Sequence, residues 1–313
     1  MRNIRVLSIV AFINAVAGSL FWTVFNLYLW DMKFSLLQIS ILNSIPVIIS
    51  IFLSRFFGRL ADNTGRKKFI IIQFFMSGTV YMMLSVTILL EKVEFGMLAL
   101  IYILLGLGGA IGGGALTASV TTSLKRERSG EATGIFLSFG SFGWMVGSFV
   151  SGFMADYVGM SSVAFASGFL LMISGLLIIV FFSEPKKIVR VNLSKIFRES
   201  WSFSLEGDKG MLLLLFLMVS LYSFGGALYA LAFSIKMYVI LKTKTLYGIV
   251  SGFAGLTNMF APYVVGRLGD RHSKESLLLY GLAVRDIYML YLAFTWNEIA
   301  VIAVSYTHLR AHE

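Results

Sequence analysis

The segment Gly58-Arg59-Leu60-Ala61-Asp62-Asn63-Thr64-Gly65-Arg66-Lys67-Lys68 sets one carboxylate among two guanidinium and two ammonium groups. Ion pairing is the chemistry open to it. Arg66 is a fork-shaped donor suited to a carboxylate such as Asp62 or Glu131. A carboxylate at position 62 gains about 0.3–1 kcal/mol wherever a helix N-terminus meets it. Gly58 and Gly65 permit close helix approach and turns of positive φ. A shorter copy, Gly266-Arg267-Leu268-Gly269-Asp270-Arg271, begins 266 − 58 = 208 residues later. Arg285 and Asp286 lie inside an apolar run, where an ionised side chain costs roughly 2.5–3.5 kcal/mol and needs a partner. They read as a functional pair or, preferably, as a structural one. Bond-making chemistry is poorly supplied. There is no cysteine, so disulfides, iron–sulfur clusters and thiol catalysis are excluded. The histidines, His272, His308 and His312, are too scattered for a metal centre. With no paired carboxylates or nucleophile motif, no cofactor, metal or enzymatic activity is expected.

The elements that carry these groups follow from composition. Hydrophobic residues make up 58% of the 313 and charged residues only 13%, about half the charge of a soluble domain. A chain this apolar belongs in a bilayer. About 20 apolar residues cross the hydrocarbon core as a helix. That window predicts helices at 4–29, 36–57, 69–90, 95–123, 132–153, 161–182, 211–234, 246–265 and 276–296. The first run is too long for a signal-peptide core and reads as a retained helix. The net charge of +10 is gathered in short segments between apolar runs, such as Arg66-Lys67-Lys68, Lys125-Arg126 and Lys186-Lys187. This is a membrane topology signal rather than a nucleic-acid footprint, and it predicts a cytoplasmic N-terminus. Lys33, Lys92, Lys236, Lys242 and Lys244 fall on the opposite side.

The polar stretch 184–209 follows six helices and reads as a linker between halves, either solvated or lying as an amphipathic helix on the membrane surface. The repeated glycine–aspartate segments then follow equivalent helices. At the same offset Asn43 aligns with Ser251, and Ser50 with Asn258. The expected organisation is a six-helix bundle over 1–183, the linker, and a partial second bundle over 210–304. Residues 305–313 cannot continue through hydrocarbon and resemble an appended, non-native tail, so helices 11 and 12 are expected to be missing.

The 58–68 segment resembles the signature loop of the major facilitator superfamily, G-x-L-a-D-r-x-G-R-k-k, and the 266–271 segment resembles its weaker second copy. The resemblance implies an all-α membrane protein of two six-helix bundles related by a pseudo-two-fold axis, the second bundle incomplete here. It implies a conformational switch at Gly58, Asp62, Gly65, Arg66, Lys67, Glu131, Gly266, Asp270 and Arg271. The other reading of these charges is a solvated turn that only sets topology. Gly134, Gly143, Gly147 and Gly152 resemble the family's antiporter motif G-x8-G-x3-G-P-x2-G-G, with Ser148 in place of the proline and Ser151 in place of a glycine. Generic packing of small residues explains the same spacing. No charge lies between Glu94 and Lys125, where Gly106, Gly109, Gly113 and Thr117 form a small-residue face, and Asp31 stands at the outer end of the first helix. This puts proton antiport in doubt.

The resemblance also places the first, fourth and seventh helices around a central cavity. Ser19, Trp22 and Asn26 share a helix face, as do Tyr222, Gly226, Tyr229 and Phe233. Aromatic rings with polar tips suit an amphipathic or organic-cation substrate; the same rings also pack between helices or anchor at the interface. The expectation is a monomeric permease of the cell membrane exporting small drug-like compounds by alternating access, with protons or another ion as possible coupling partner. Rival expectations are a sugar, peptide or organic-anion carrier of the same fold, and a non-transporting sensor or scaffold.

Overall fold

The computed structural model describes residues 2–123, 129–184 and 209–269, with isolated positions at 280, 281, 283, 287 and 294. Eight helices occupy these residues: α1 Arg2–Asp31, α2 Leu36–Thr64, α3 Lys67–Leu89, α4 Phe95–Thr121, α5 Ser129–Tyr157, α6 Met160–Phe181, α7 Lys209–Leu241 and α8 Lys244–Gly269. Apart from those isolated positions, the predicted helix 276–296 lies outside the described residues, as do residues 185–208 and 305–313. The first six helices are each long and apolar enough to cross a membrane. Their outward faces are apolar too: Leu37 and Ile51 are 70% exposed and Leu89 72%. Water does not tolerate an apolar surface of this extent, whereas hydrocarbon does. The molecule is a multi-pass membrane protein.

Every helix except α4 extends past one or both of its hydropathy-predicted ends, because a hydropathy window stops at the first charges whereas backbone hydrogen bonding does not. The clearest correction concerns residues 58–64, expected as a loop. They form the last two turns of α2, and Gly58 is helical with open space around it. Asn63 and Thr64 donate their side chains to the carbonyls of Arg59 and Leu60, at 2.8 and 2.7 Å. Gly266, also expected in a loop, is helical within α8. Of these three glycines, Gly65 alone, at φ +103°, uses the left-handed freedom that glycine provides.

The 208-residue repeat reappears in the backbone. α2 starts at Leu36 and α8 at Lys244. Ser35 caps α2 by accepting the Gln38 N–H, and Thr243 caps α8 by accepting the Leu246 N–H, both at 3.2 Å. Each pair is 208 apart (244 − 36 and 243 − 35). Within the first six helices α1 packs chiefly on α5, α2 on α4, α3 on α6, α1 on α6 and α3 on α4. Exchanging 1 with 4, 2 with 5 and 3 with 6 maps this set onto itself, the pattern of two inverted three-helix units.

Hydrocarbon gives helices little reason to associate beyond close contact, so small residues mark the seams. Gly78 of α3 meets Gly168 of α6; a Cβ on Gly78 would lie 2.9 Å from the Gly168 carbonyl oxygen. Gly106 of α4 abuts Pro46 of α2, and Gly112 abuts Gln73 of α3. The predicted small-residue face of α4 is thus divided. Gly106 packs, whereas Gly109 and Gly113 have nothing within 4 Å of an added Cβ. Gly78→Val should destabilise the first bundle by roughly 1–3 kcal/mol, seen as a lower thermal midpoint in detergent. Gly96→Ala, at an open helical position, should leave the midpoint unchanged or raise it.

Candidate functional site

On the face carrying the 58–68 segment, the turn between α2 and α3 gathers four helix ends. Arg66 Nε donates to Asp62 Oδ1 at 2.7 Å, and its Nη1 donates to the Ala118 carbonyl and to Thr122 Oγ1, each at 2.8 Å. A half-exposed i,i+4 ion pair contributes only about 0.3–0.5 kcal/mol. The larger consequence is geometric, since one guanidinium joins the C-terminal ends of α2 and α4, where a cation also meets the negative end of the helix dipole. Lys67 does the same for α6, donating to the carbonyls of Ile179 and Phe182 at 2.9 and 2.7 Å. Glu184, just beyond α6, returns a carboxylate to the turn and accepts the backbone N–H groups of Arg66 and Lys67. Asn3 and Ser183 exchange hydrogen bonds beside it. The start of α1 is thereby tied to the same point.

Two adjoining cavities lie deeper, sharing Asn14, Ala15 and Trp144. One, of about 340 Å³, runs between α1, α5 and α8, with Phe136, Leu137, Ser141 and Gly255 in its wall. The other, of about 380 Å³, reaches into the first bundle past Trp22, Gln73, Ser77 and Tyr81. Among the described lining residues of both there is no carboxylate, ammonium or guanidinium group. Their linings offer aromatic faces, amides and one small hydroxyl in each. Trp22 is held edge-on to Phe21 and Tyr102, with ring centroids at 5.2 and 5.7 Å.

α5 is shared between neighbours. Gly143 and Gly147 lie against α1, at Phe12 and at Val16 with Ser19; Gly152 lies against the backbone of Lys244 and Thr245 in α8. Ser148 pairs with Thr23 of α1 at 3.2 Å, a buried contact.

The family model of the Major Facilitator Superfamily matches residues 7–306. The chain belongs to the major facilitator superfamily. Similar relatives include the multidrug resistance protein MdtG of Enterobacter lignolyticus (strain SCF1), 27% identical over 94% of this chain and 70% of that protein. MdtG of Klebsiella pneumoniae (strain 342) is 27% identical over 80% of this chain and 60% of its own length. The multi-drug resistance efflux pump PmrA homolog of Lactococcus lactis subsp. lactis (strain IL1403) is 26% identical over 82% and 62%. The chain thus spans between 60% and 70% of the length of these relatives.

In this facilitator the structure brings Asp62, Gly65, Arg66 and Lys67 together. Gly58 lies on α2 outside this group, beside Gly114 of α4, and a Cβ added at Gly134 would meet nothing within 4 Å. The side chains of Glu131, Tyr222 and Tyr229 lie outside the described residues, as do Asp270, Arg271, Arg285 and Asp286. The α1 face needs correction by about one residue. Ser19 is fully buried against Gly147, and Asn26 is spent on Asn43 at 3.2 Å, while Asn43 in turn accepts from the Tyr102 hydroxyl at 3.4 Å. Trp22 keeps its place, with Ala11, Asn14, Ala15 and Gly18 forming the stripe that lines the cavities. The i, i+3, i+4 spacing of that stripe was available in the sequence. Glu184 and Trp144 were missed as well, the former because nothing local marks its partner 118 residues earlier.

Gly65→Ala should cost roughly 1–2 kcal/mol from its left-handed backbone alone, and more because the new methyl would sit 2.9 Å from Glu184 Oε2. Gly58→Ala should cost nothing. Thermal unfolding of both variants in detergent tests the contrast.

Proposed function

We propose that the chain is most of a secondary carrier that moves small amphipathic compounds outward by alternating access. In this reading the first bundle covers 1–183, residues 184–209 connect it to a second bundle that starts with α7, and the basic face lies in the cytoplasm of a bacterial inner membrane. The support for cargo is the character of the two cavities: Trp22, Trp144, Tyr81 and Phe136 with Asn14, Gln73, Ser77 and Ser141, and no described charge. Such a lining favours flat, largely apolar cargo, neutral or carrying a delocalised cation drawn to ring faces. It offers few hydrogen-bonding groups for a sugar's many hydroxyls and no described cation to compensate the desolvation of an anion. The relatives named for multidrug resistance and efflux agree with this choice. The turn at Asp62–Lys67 acts as the switch, because it fixes four helix ends as one block that can move against the second bundle.

Everted membrane vesicles carrying the chain should accumulate a fluorescent lipophilic cation above vesicles without it. Uptake of sugars or amino acids with no drug uptake would overturn the cargo assignment. Trp22→Leu should weaken binding of that cation to purified protein by roughly five- to thirtyfold, the usual consequence of removing an aromatic anchor worth 1–2 kcal/mol, as read by fluorescence quenching. Asp62→Asn should lower turnover while leaving expression and cation binding near the parent values. Unchanged turnover would favour a non-transporting scaffold.

A further inference from the structure

On the face opposite the 58–68 segment, two carboxylates of the first bundle converge on the start of α8. Asp31, the last residue of α1, takes the Lys244 ammonium at 2.5 Å and the Tyr238 hydroxyl at 3.0 Å from each carboxylate oxygen. Asp156, near the end of α5, accepts both the N–H and the hydroxyl of Thr245, at 2.8 and 2.7 Å. Thr245 belongs to the first turn of α8, whose N–H groups have no partner inside the helix and whose dipole favours an anion. Beneath these contacts Leu27 of α1 is fully buried with Met237, Ile240, Leu241 and Tyr247 of α7 and α8. Backbone packing closes the rest: a Cβ on Gly248 would come within 2.7 Å of the Ser148 carbonyl oxygen.

We infer that Asp31 and Asp156 form a latch that holds this face shut, and that the two contribute differently. The inference rests on the alternating-access reading above. Asp156 caps α8 and fixes where that helix meets α5. Asp31 is the releasable half. Its side chain is 38% exposed while that of Lys244 is only 15% exposed, so water and ions reach the carboxylate but the ammonium sits against protein. The Lys244 ammonium also lies 5.4 Å from the Tyr238 ring centroid. Losing the Asp31 charge therefore leaves a largely covered cation facing a ring and a hydroxyl, an arrangement relieved by separation of α1 from α7 and α8. On the basic face, by contrast, the described contacts of Arg66, Lys67 and Glu184 all stay within the first bundle.

The absence of cysteine makes the test direct. Leu27→Cys places a single thiol under the latch, and its alkylation by a membrane-impermeant maleimide reports opening. Adding Asp31→Asn should speed labelling roughly tenfold, the response to a population shift of 1.4 kcal/mol. Lys244→Gln should do the same. The two together should be no faster than either alone, because they break one interaction, and Asp31→Glu should stay slow. Parent-like labelling in both single variants, or effects that simply multiply, would overturn the latch. A second reporter, Ser167→Cys, is fully buried inside the first bundle and should stay protected throughout. If it too becomes reactive, the pair holds the fold rather than a gate, and the inference is wrong. Labelling needs no substrate. Slow labelling in the variants alongside cation export sinks the latch alone, and fast labelling without export sinks only the cargo assignment.

Discussion

A helix in hydrocarbon gains almost nothing by burying an apolar side chain against another helix, because lipid is an equally good solvent for it. Everything that sets one helix beside another here must come from closeness or from a few polar contacts. The structure shows both economies. Gly78 with Gly168, Gly106 with Pro46 and Gly143 with Phe12 bring backbones together where a Cβ would not fit. Thr23 with Ser148 and Asn26 with Asn43 add interhelical hydrogen bonds, each worth about 0.6 kcal/mol in membranes. The described ion pairs, Asp62–Arg66 and Asp31–Lys244, lie instead at helix ends, where carbonyl and N–H groups lack helical partners.

The two faces use those ends differently. On the basic face the cations of Arg66 and Lys67 reach the carbonyl ends of α4 and α6, and Glu184 returns to the N-terminal side of α3. Each charge meets the helix end of opposite sign, and the described partners belong to one bundle. On the far face Asp31 and Asp156 reach across to α7 and α8. The same physical rule thus makes one end of the first bundle rigid and joins the other end to its neighbour.

Much of this was legible in the sequence, and what was not has identifiable causes. Apolar runs longer than any soluble helix core gave the existence of the membrane helices, and the 208-residue offset gave a repeat that the caps at Ser35 and Thr243 reproduce. Helix ends were misjudged because a hydropathy window measures the solvent a residue prefers, while Asn63 and Thr64 continue a helix on local hydrogen bonds. The α1 face was misjudged because Trp22 sits at the edge of two stripes. The one through Ser19 and Asn26 is polar yet satisfied between helices, and the one through Asn14 and Gly18 is plainer yet open. In a membrane bundle polar residues also serve as glue between helices, so polarity alone does not choose the face. Glu184 and the Asp31–Lys244 pair join residues more than 100 positions apart, and no local pattern reports such a partner.

The division of α5 decides where the molecule can give. Toward α1 its contacts interlock: Gly143 and Gly147 accept the backbone of α1, Ser19 fills the remaining space, and the Thr23–Ser148 bond is buried. Separating those helices would strand two hydroxyls in an apolar interior, each costing about 1–3 kcal/mol. Toward α8 the contacts near mid-span are apolar, with Gly252 on the Phe149 ring, Phe149 edge-on to Phe253 and Gly255 on Met145. Lipid or cargo can replace such contacts at little loss. The described polar ones lie at the far end, where water can take over the partners of Asp156 and Asp31. On the alternating-access reading proposed above, this difference in what replaces each contact once it is broken has α5 travel with α1 and makes the seam with α8 the one that opens.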